Sequence, residues 1–449
     1  MGTEATILDA DQSTAVSSAR HYPDIPPINQ LISDEVEIFF KNDQTRYTPE
    51  DVEAKLIYSI NTRILRENHD GKLKGAMAYR TFKVLPTFVI ASCILARDMP
   101  HVGLLGEPRE SAALAPYVTE GPDEGLYVRA EHRVWKAVKS YNASTSEKDF
   151  NEVLVEIRGR VPLLEPSEEE NVVVLANGLF DLETKELRDF TPEVVFTSKA
   201  AVRWNPDAIS SPVIDGWTVD RWMKSLAVTE PTCDDVEVDV FADPEVERLL
   251  REVVAALFRP NHSLDQAMLL VSDKGSNGKG TFLALLRNLV GAKRAVSLSM
   301  SEFGRDFLPE KLAHAFCVLS DEGDVGSFMH AASTFKAWVT HDWISLNRKG
   351  KDFIDVKGRG LCVFCLNDLP KGKDGTKSLY RRFVAVPFRG VFRDTDNNPR
   401  IKSDYIHRED VLEYVAHRAL MMPLFDSFTV PQEARRLVEE IRVNNSPIE

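Results

Sequence analysis

Residues 267–291, AMLLVSDKGSNGKGTFLALLRNLVG, decide the fold that this chain is expected to adopt. The first five residues form an apolar run of strand length, which stops at the turn-forming cluster of residues 272–278. Apolar side chains then recur at i, i+3, i+4, i+7 and i+8, the spacing of one helix face, and Gly291 can cap the helix end. These side chains are Phe282, Leu285, Leu286, Leu289 and Val290. The stretch therefore predicts a strand, a glycine-rich loop and a helix.

The order of strand, glycine-rich loop, lysine and helix is the one that a phosphate-binding loop requires. Gly275 and Gly278 allow the backbone to bend so that its amide N–H groups point inward, and the helix N-terminus adds partial positive charge. Lys279, which we expect to face solvent without a nucleotide, can reach the outer phosphates. The predicted nucleotide-binding residues are Gly275, Ser276, Asn277, Gly278, Lys279, Gly280 and Thr281.

The loop departs from the strict phosphate-loop pattern at two positions. That pattern has glycine six residues before the lysine and serine or threonine directly after it, where this chain has Asp273 and Gly280. Thr281, one residue later, is the nearest hydroxyl for a magnesium ion. An ordinary glycine turn is the alternative explanation, but the flanking strand and amphipathic helix favour phosphate binding.

A second apolar run, residues 316–319, ends in Ser320, Asp321 and Glu322. Carboxylates at the C-terminal end of a buried parallel strand lie where a nucleotide-binding sheet opens. One of them can hold magnesium, and the other can activate the attacking water. A surface Asp–Glu pair is the alternative, and the position about forty residues after a phosphate loop favours the catalytic interpretation.

A third apolar run, residues 361–366, ends in Asn367, whose amide can orient water against the terminal phosphate. Arg381 and Arg382 precede a fourth run, residues 383–388. An arginine just before a strand can reach a γ-phosphate, often across a subunit boundary. A plain surface pair is the alternative, and the sequence does not distinguish the two arginines.

A basic hairpin is predicted at residues 343–356, where two strand-like runs flank Arg348, Lys349 and Lys351. Residues 345–390 hold eleven Lys or Arg against four Asp or Glu, in a chain whose net charge is -14. Local positive charge attracts a nucleic-acid backbone and releases counterions on binding. A solvated basic loop is the alternative, and the location beside a nucleotide site favours DNA contact.

Composition indicates an ordinary soluble protein, with 43% hydrophobic and 28% charged residues. Its 449 residues suffice for two or three cores, and the negative net charge argues against a wholesale nucleic-acid coat. The longest early apolar stretch, residues 88–96, is far shorter than the roughly 20 residues of a membrane-spanning helix. Five scattered cysteines suit a reducing compartment. They are Cys93, Cys233, Cys317, Cys362 and Cys365.

Two groups of potential metal ligands have a simpler explanation. Cys362 and Cys365 form a C-x-x-C, but they lie in an apolar strand where i and i+3 face opposite sides, which favours a buried strand. Asp235, Glu237 and Asp239 alternate with valines as ligands on a strand would. No histidine or third ligand has useful spacing, so a solvated edge or loop is favoured.

In chain order we predict five regions. They are a flexible leader at 1–30, a mostly helical region of unknown role at 31–166, a hairpin plus helical domain at 167–260, the ATPase core at 261–400, and a C-terminal helical segment, shortened or naturally brief, at 401–449. Helical spacing appears in the second region at Val52, Leu56, Ile57 and Ile60. The third region has an Asn177-Gly178 hairpin signal between residues 172–175 and 179–182, and a helix pattern at 210–225.

Several blocks resemble the superfamily 3 helicase module of phage and plasmid primase-helicases, a set that includes the poxvirus-type primase-helicase. These blocks are DKGSNGKGTF, LSDEGD, FKAWVTHDWISLNRKGKDF, LCVFCLNDLP and SLYRRFVAVPF. NGLFDLETKEL and SKAAVRWNPDA are similar to the helical domain that precedes this helicase, so the resemblance covers about residues 171–449. It implies an α/β fold of the P-loop NTPase, AAA+-like type. We expect a mainly parallel sheet with helices on both faces, preceded by a mostly helical domain.

The resemblance also implies roles for individual residues. Lys279 matches the phosphate-loop lysine, Asp321 with Glu322 the acidic second motif, and Asn367 the polar residue of the third motif. Arg381 or Arg382 matches the arginine finger. Thr281 and Asp321 are then the expected magnesium ligands, and the hairpin residues Arg348, Lys349 and Lys351 the DNA contacts.

The implied activity is that of an ATP-dependent DNA helicase or translocase in phage or plasmid replication. ATP and Mg²⁺ are the expected cofactors, and single-stranded or forked DNA is the expected substrate. The expected assembly is a ring of six subunits that works with a separate primase or polymerase. The expected localisation is the cytoplasm of a phage-infected or prophage-carrying bacterial host, and no membrane association is expected.

One departure from the family pattern and two alternative functions remain to be considered. Members of the family commonly carry a primase domain upstream, but residues 1–166 lack its carboxylate and histidine pattern, so priming is not predicted. One rival is a nucleotide kinase, because residues 278–281 resemble the GKGT of adenylate kinases. Those enzymes place the loop at the chain start. The other rival is a non-unwinding, ATP-bound DNA clamp or loader, which Asp273 and Gly280 would favour.

Overall fold

The structure is a computed structural model of the 449-residue chain. It describes residues 27–41, 47–106, 109, 112–230, 235–272, 275–304, 312, 315–321, 332–346, 354–366, 377–392 and 398–444. The chain divides into two units, residues 1–100 with 132–160, and residues 101–131 with 161–449. The five regions predicted from the sequence stay a prediction.

The first unit is built from helices. They are α1 (Ile28–Phe40), α2 (Pro49–Asp70), α3 (Thr87–Cys93), α4 (Glu131–Tyr141) and α5 (Glu147–Arg160), with a π-helical turn at Ile94–Asp98. Thr48 caps α2, because its hydroxyl accepts from the Asp51 N–H while the Asp51 carboxylate accepts from the Thr48 N–H. Val52, Leu56 and Ile60 form the buried face of α2, which confirms the predicted helix.

Two of the small sheets in the second unit have three strands each. One has the order β2-β1-β3, from β1 (Val102–Leu105), β2 (Ala113–Pro116) and β3 (Leu163–Leu164). The other joins β4 (Val172–Leu175), β5 (Gly178–Asp181) and β6 (Leu187–Arg188) in antiparallel fashion. Because Leu175 pairs with Gly178, the predicted hairpin is confirmed, and its turn consists of Ala176 and Asn177.

Two predicted elements are wrong. The helix expected at residues 210–225 begins only at Val219, as α6 (Val219–Leu226), with the Thr218 side chain as its cap. Asp215 and Gly216 both have positive φ, which a right-handed helix excludes, and they turn the chain between the bridged residues Ile214 and Trp217.

The edge or loop expected around residue 239 is instead α7 (Asp235–Phe241). The Asp239 carboxylate lies 2.9 Å from Arg221 and 2.7 Å from Lys224. These two cations hold the carboxylate against α6, and they lower the pKa of Asp239 through hydrogen bonds.

The second unit has a five-stranded parallel sheet as its centre. Its order is β13-β7-β12-β9-β8. The strands are β7 (Ala267–Val271), β8 (Ala295–Val296), β9 (Cys317–Ser320), β12 (Cys362–Leu366) and β13 (Phe383–Pro387). The four apolar runs of the sequence are therefore strands, each within one residue of its predicted bounds. The strand β12 lies between β7 and β9, so the ends of all three meet at one edge.

Helices cover both faces of this sheet. On one face, Met268 and Leu270 pack with residues of α6, α8 (Pro244–Leu257), α9 (Lys279–Val290) and α13 (Glu409–Leu420). On the other face, Leu269 packs with residues of α10 (Ala332–Val339) and α14 (Gln432–Asn444). Alternate residues of one strand thus belong to two cores, as expected for a sheet between two helical layers. The predicted α/β arrangement is confirmed at this level.

The helix α9 matches its predicted limits. Its whole apolar stripe is fully buried, and burial of such side chains contributes about 1.5–3 kcal/mol each. Gly291 ends the helix with a φ of 88°, and its N–H donates to the Arg287 carbonyl at 2.8 Å. The stripe fixes which face of α9 meets the sheet, and therefore where the helix N-terminus lies.

The C-x-x-C of β12 is structural. Cys362 belongs to one core and Cys365 to the other, as the strand period requires. Further elements are the antiparallel pair β10 (Trp343–Leu346) and β11 (Ile354–Lys357), α11 (Lys377–Tyr380) and α12 (Arg400–Ser403). Among the helices in the described segments, none has the length and apolar character needed to cross a bilayer.

Candidate functional site

The loop after β7 curls through two left-handed residues. Ser276 has a φ of 55° and Gly278 a φ of 85°. Left-handed residues of this kind let successive N–H groups converge, which makes a concave anion-binding backbone. The sequence predicted Gly275 and Gly278 for this purpose, but Gly275 lies outside the left-handed region. Ser276 takes that place, and its carbonyl accepts from the Phe392 N–H at 2.8 Å.

Gly278 is required by packing as well as by its backbone angle. A Cβ at this position would lie 2.4 Å from Leu226 Cδ2 and 3.3 Å from Phe392 Cε2. Leu226 is the last residue of α6, so the loop lies directly against that helix end. The glycine therefore permits both the curl of the loop and its close approach to α6.

Lys279 is the first residue of α9, and it is only 5% exposed. The expectation that it faces solvent is therefore wrong. Its N–H donates to Asn277 Oδ1 at 3.3 Å, and Asn277 is itself buried. The ammonium group lies near the Cys365 thiol, where its charge opposes the rise that burial causes in that thiol's pKa, and this places the lysine toward the end of β12.

Asp321 follows β9 and lies beside the first turn of α9. A Cβ at Gly280 would be 3.4 Å from Asp321 Oδ1 and 3.8 Å from Oδ2. The carboxylate also accepts a hydrogen bond from the Cys365 thiol. Burial, followed by the Asp321 charge, raises the pKa of Cys365 to about 12, so the thiol stays a donor at neutral pH. The ends of β7, β12 and β9 thus converge on one point.

The position that faces Asp321 is 280, which in the strict phosphate-loop pattern carries the hydroxyl. Thr281 lies one residue further along α9, half-buried, with its N–H donated to the Gly278 carbonyl at 3.1 Å. Consecutive side chains on a helix point about 100° apart. Since position 280 faces Asp321, the Thr281 side chain points away from the side of α9 on which Asp321 lies. Joint ligation of magnesium by these two residues stays a prediction.

Several predicted site residues lie outside the described part of the chain. They are Glu322, Asn367, Arg348, Lys349 and Lys351. The residues before the first two, Asp321 and Leu366, are described. Asp321 directly follows β9 and Leu366 ends β12, at the same edge of the sheet. The strands that flank the predicted basic tip, β10 and β11, pair from Trp343 with Lys357 to Leu346 with Ile354.

The two candidate finger arginines differ in their contacts. Arg382 Nη1 lies 2.8 Å from Asp265 Oδ2, and the Arg382 side chain is 15% exposed. Arg381 is exposed. Both precede β13, whereas the phosphate loop follows β7, which runs parallel to β13. The arginines therefore lie at the opposite edge of the sheet, about 17 Å away by the length of a five-residue strand.

Lys402, in α12, is a neighbour of the loop that the sequence analysis did not identify. Its Nζ would lie 3.5 Å from a Cβ at Gly280, and its charge also opposes the burial-induced rise in the pKa of Cys365. More than a hundred residues separate it from the loop, and no motif surrounds it, so nothing in the sequence marked it.

No group of three or more His, Cys, Asp or Glu side chains arranged to hold a metal occurs in the segments that the structure describes. A magnesium ion that accompanies a nucleotide needs fewer protein ligands, because phosphate oxygens and water complete its shell. The Asp321 carboxylate is a suitable oxygen ligand, and glycine at 280 leaves space beside it. The described residues therefore fit a magnesium–nucleotide complex.

Comparison with protein families gives two matches. Residues 34–223 match the family described as D5 N terminal like, and residues 270–382 match a family of unknown function, DUF5906. The first match begins far upstream of residue 171, where the resemblance seen in the sequence starts. No curated protein matches the chain.

Among solved structures, the chain is similar to an apo structure of the NrS-1 C terminal region. The identity is 14%, the TM-score is 0.45, and the alignment covers 79% of this chain and 75% of that chain. An A form apo structure of the same region has 12% identity and a TM-score of 0.47, with 80% and 76% covered.

Proposed function

We propose that this chain is an ATP-dependent DNA helicase or translocase of the superfamily 3 type that acts in phage or plasmid replication. The observation that carries the proposal is the convergence at one edge of the parallel sheet. The curled loop after β7, the buried Lys279 and the Asp321 carboxylate all lie at the N-terminus of α9. Loop amides, an ammonium group and a carboxylate are the groups that a magnesium–nucleotide complex needs.

The chain's own residues would divide the work of hydrolysis. The loop amides and Lys279 would bind the phosphates and offset their charge. Asp321 would hold magnesium, which supplies further neutralisation of phosphate charge when it is bound. Glu322 would accept a proton from the attacking water, and Asn367 would orient that water. The Cys365 thiol would help to position Asp321, because it donates a hydrogen bond to the carboxylate and stays protonated at neutral pH.

Motion along DNA would come from the hairpin of β10 and β11. Ile344 and Leu346 anchor β10 in the core that lies against the sheet, so the hairpin base is fixed. Arg348, Lys349 and Lys351 at the tip would contact phosphates of one DNA strand. A finger arginine that acts on a neighbour's nucleotide would require a ring, which we propose to contain six subunits.

The family match supports this proposal from a separate part of the chain. The D5 N terminal like match ends at residue 223, before the phosphate loop, and the second match spans the loop, β9, β12 and the arginines. That order agrees with the sequence resemblance to primase-helicases, in which a helical domain precedes the helicase module.

Unwinding of a labelled DNA fork tests the proposal. The purified chain should separate the strands with ATP and Mg²⁺, and it should not do so with a non-hydrolysable ATP analogue. Phosphate transfer from ATP to AMP would instead identify a nucleotide kinase. Stable DNA binding with ATP, without turnover or unwinding, would identify a clamp or loader. Either of these results would overturn the helicase assignment.

A further inference from the structure

A second lysine reaches the nucleotide end of α9 from the C-terminal part of the chain. The space next to Gly280 is bounded by two charged atoms, Asp321 Oδ1 at 3.4 Å and Lys402 Nζ at 3.5 Å from a Cβ built there. Lys402 is an exposed residue of α12, and Asp321 follows β9. The first turn of α9 is thus flanked on one side by a carboxylate and an ammonium group from different elements.

Charge at this point favours an anion. Burial and the Asp321 charge raise the pKa of the Cys365 thiol, and the charges of Lys279 and Lys402 oppose that rise. Lys402 brings an ammonium group to a helix N-terminus that is itself partly positive. Within the described segments Lys402 makes no ion pair, whereas its neighbour Arg400 pairs with Asp215 at 2.6 Å and Asp404 at 3.1 Å. A phosphate group would give Lys402 the anionic partner that it lacks within the described segments.

The segment that carries Lys402 is fixed against α9. Asn288 of α9 donates to the Ile406 carbonyl at 2.8 Å, and Ile406 is fully buried. The Tyr405 hydroxyl donates to Asp215 Oδ2 at 3.0 Å, and the Tyr405 ring packs on Trp217 with centroids 5.2 Å apart. These contacts hold the backbone of residues 400–407 in place, so that only the flexible lysine stem has to adjust to a ligand.

We propose that Lys402 binds the terminal phosphate of the nucleotide whose inner phosphates lie in the loop of residues 275–281. The contact is made within one subunit, and it connects the presence of that phosphate to the segment of residues 400–407. Through Arg400 and Tyr405 the same segment contacts Asp215, in the turn before α6. This inference rests on the proposed function, because it requires a nucleotide in the loop.

Binding of a non-hydrolysable ATP analogue and of ADP, each with Mg²⁺, tests the proposal by calorimetry. Lys402→Ala should weaken binding of the analogue about tenfold and change ADP binding by less than about twofold, since ADP lacks the terminal phosphate. Lys402→Arg, which keeps the positive charge, should retain most of the wild-type difference in affinity between the ATP analogue and ADP. Lys293→Ala removes the same charge from an exposed position just beyond α9, and it should change neither affinity.

A parallel measurement on Lys279→Met separates failure of this inference from failure of the proposed function. If Lys279→Met weakens both nucleotides while Lys402→Ala leaves their affinity ratio unchanged, the Lys402 assignment is wrong and the site stands. If Lys402→Ala weakens ADP as much as the analogue, the lysine does not read the terminal phosphate, and the assignment is again wrong. If Lys279→Met changes neither affinity, the loop is not the nucleotide site, and both proposals fail.

Discussion

At the scale of single residues, the candidate site contains three residues whose conformation, burial or hydrogen bonding differs from what their residue type suggests. Ser276 adopts a backbone conformation that glycine normally supplies, and Lys279 is buried where a solvent-facing lysine was expected. Cys365, which the sequence marked only as part of a buried strand, donates to Asp321. The ionisation of this thiol therefore has a measurable consequence for stability.

The pKa of the Cys365 thiol is raised from 9.0 to about 12 in the folded chain. Below about pH 9 the thiol is protonated in both states, and its contribution to stability is complete. Between pH 9 and 12 the thiol ionises first in the unfolded chain, so the free energy of unfolding falls as the pH rises. Cys365→Ala should remove this part of the decline.

Urea unfolding of wild type and Cys365→Ala between about pH 8 and pH 10 measures the difference. The wild-type midpoint should fall more steeply with pH than that of the variant, because the other buried thiols are common to both proteins. Parallel midpoint curves would contradict the raised pKa of Cys365.

At the scale of secondary structure, the periodicity of apolar residues predicted those strands and helices whose limits depend on neighbouring residues in the sequence. The bounds of β7 and α9 follow from an apolar run and an apolar stripe that need no distant partner. The helix expected at residues 210–225 failed because a turn at Asp215 and Gly216 interrupts a suitable composition. The alternation around Asp239 suggested an extended chain, but cations on α6 stabilise a helix there.

Long-range neighbours could not be predicted in this way. Lys402 reaches Gly280 only because residues 400–407 pack on α9, and no sequence pattern encodes that approach. Likewise, the Arg382–Asp265 ion pair depends on the parallel register of β13 and β7. The sequence placed both arginines before a strand without indicating which of them was already paired.

Gly360, which lies just before β12, packs tightly against the backbone of Phe316, which lies just before β9. Its φ is +74°, and a Cβ there would lie 2.1 Å from the Phe316 carbonyl oxygen. Gly360→Ala combines backbone strain with a backbone collision, so we expect it to lower the free energy of unfolding by about 3–5 kcal/mol. Chemical denaturation measures this change.

Gly216 supplies the matched control. Its φ is +82°, but no heavy atom lies within 4 Å of a Cβ built there. Gly216→Ala should therefore cost only the strain of the left-handed backbone, about 1–2 kcal/mol. Equal destabilisation by the two substitutions would show that the approach of Phe316 to Gly360 is not restrictive.

At the scale of the whole molecule, the position of the arginines bears on assembly. Arg381 is exposed at the edge of the sheet opposite the phosphate loop, whereas Arg382 is paired with Asp265. An arginine there cannot reach the nucleotide of its own chain, so we expect Arg381 to act on a neighbouring copy. Arg382→Ala should mainly affect stability, by about 0–1 kcal/mol for a partly exposed ion pair.

Mixing of two inactive variants tests this expectation. Arg381→Ala and Lys279→Met should each hydrolyse ATP poorly alone. If Arg381 acts on a neighbouring copy, mixed assemblies should recover part of the activity, because some interfaces combine an intact Lys279 with an intact Arg381 from the neighbour. A mixture that is no more active than its components would show that Arg381 does not complete a neighbour's site.

The most direct test of the whole account is steady-state ATP hydrolysis with and without single-stranded DNA. The wild-type chain should turn over ATP, and DNA should stimulate it. Lys279→Met keeps the apolar stem in its buried position and removes the charge, so it should fold normally and lose at least about a hundredfold in turnover. Lys293→Met, at an exposed position, should behave like wild type. Turnover by Lys279→Met at the wild-type rate would contradict the assignment of the loop at residues 275–281 as the catalytic nucleotide site.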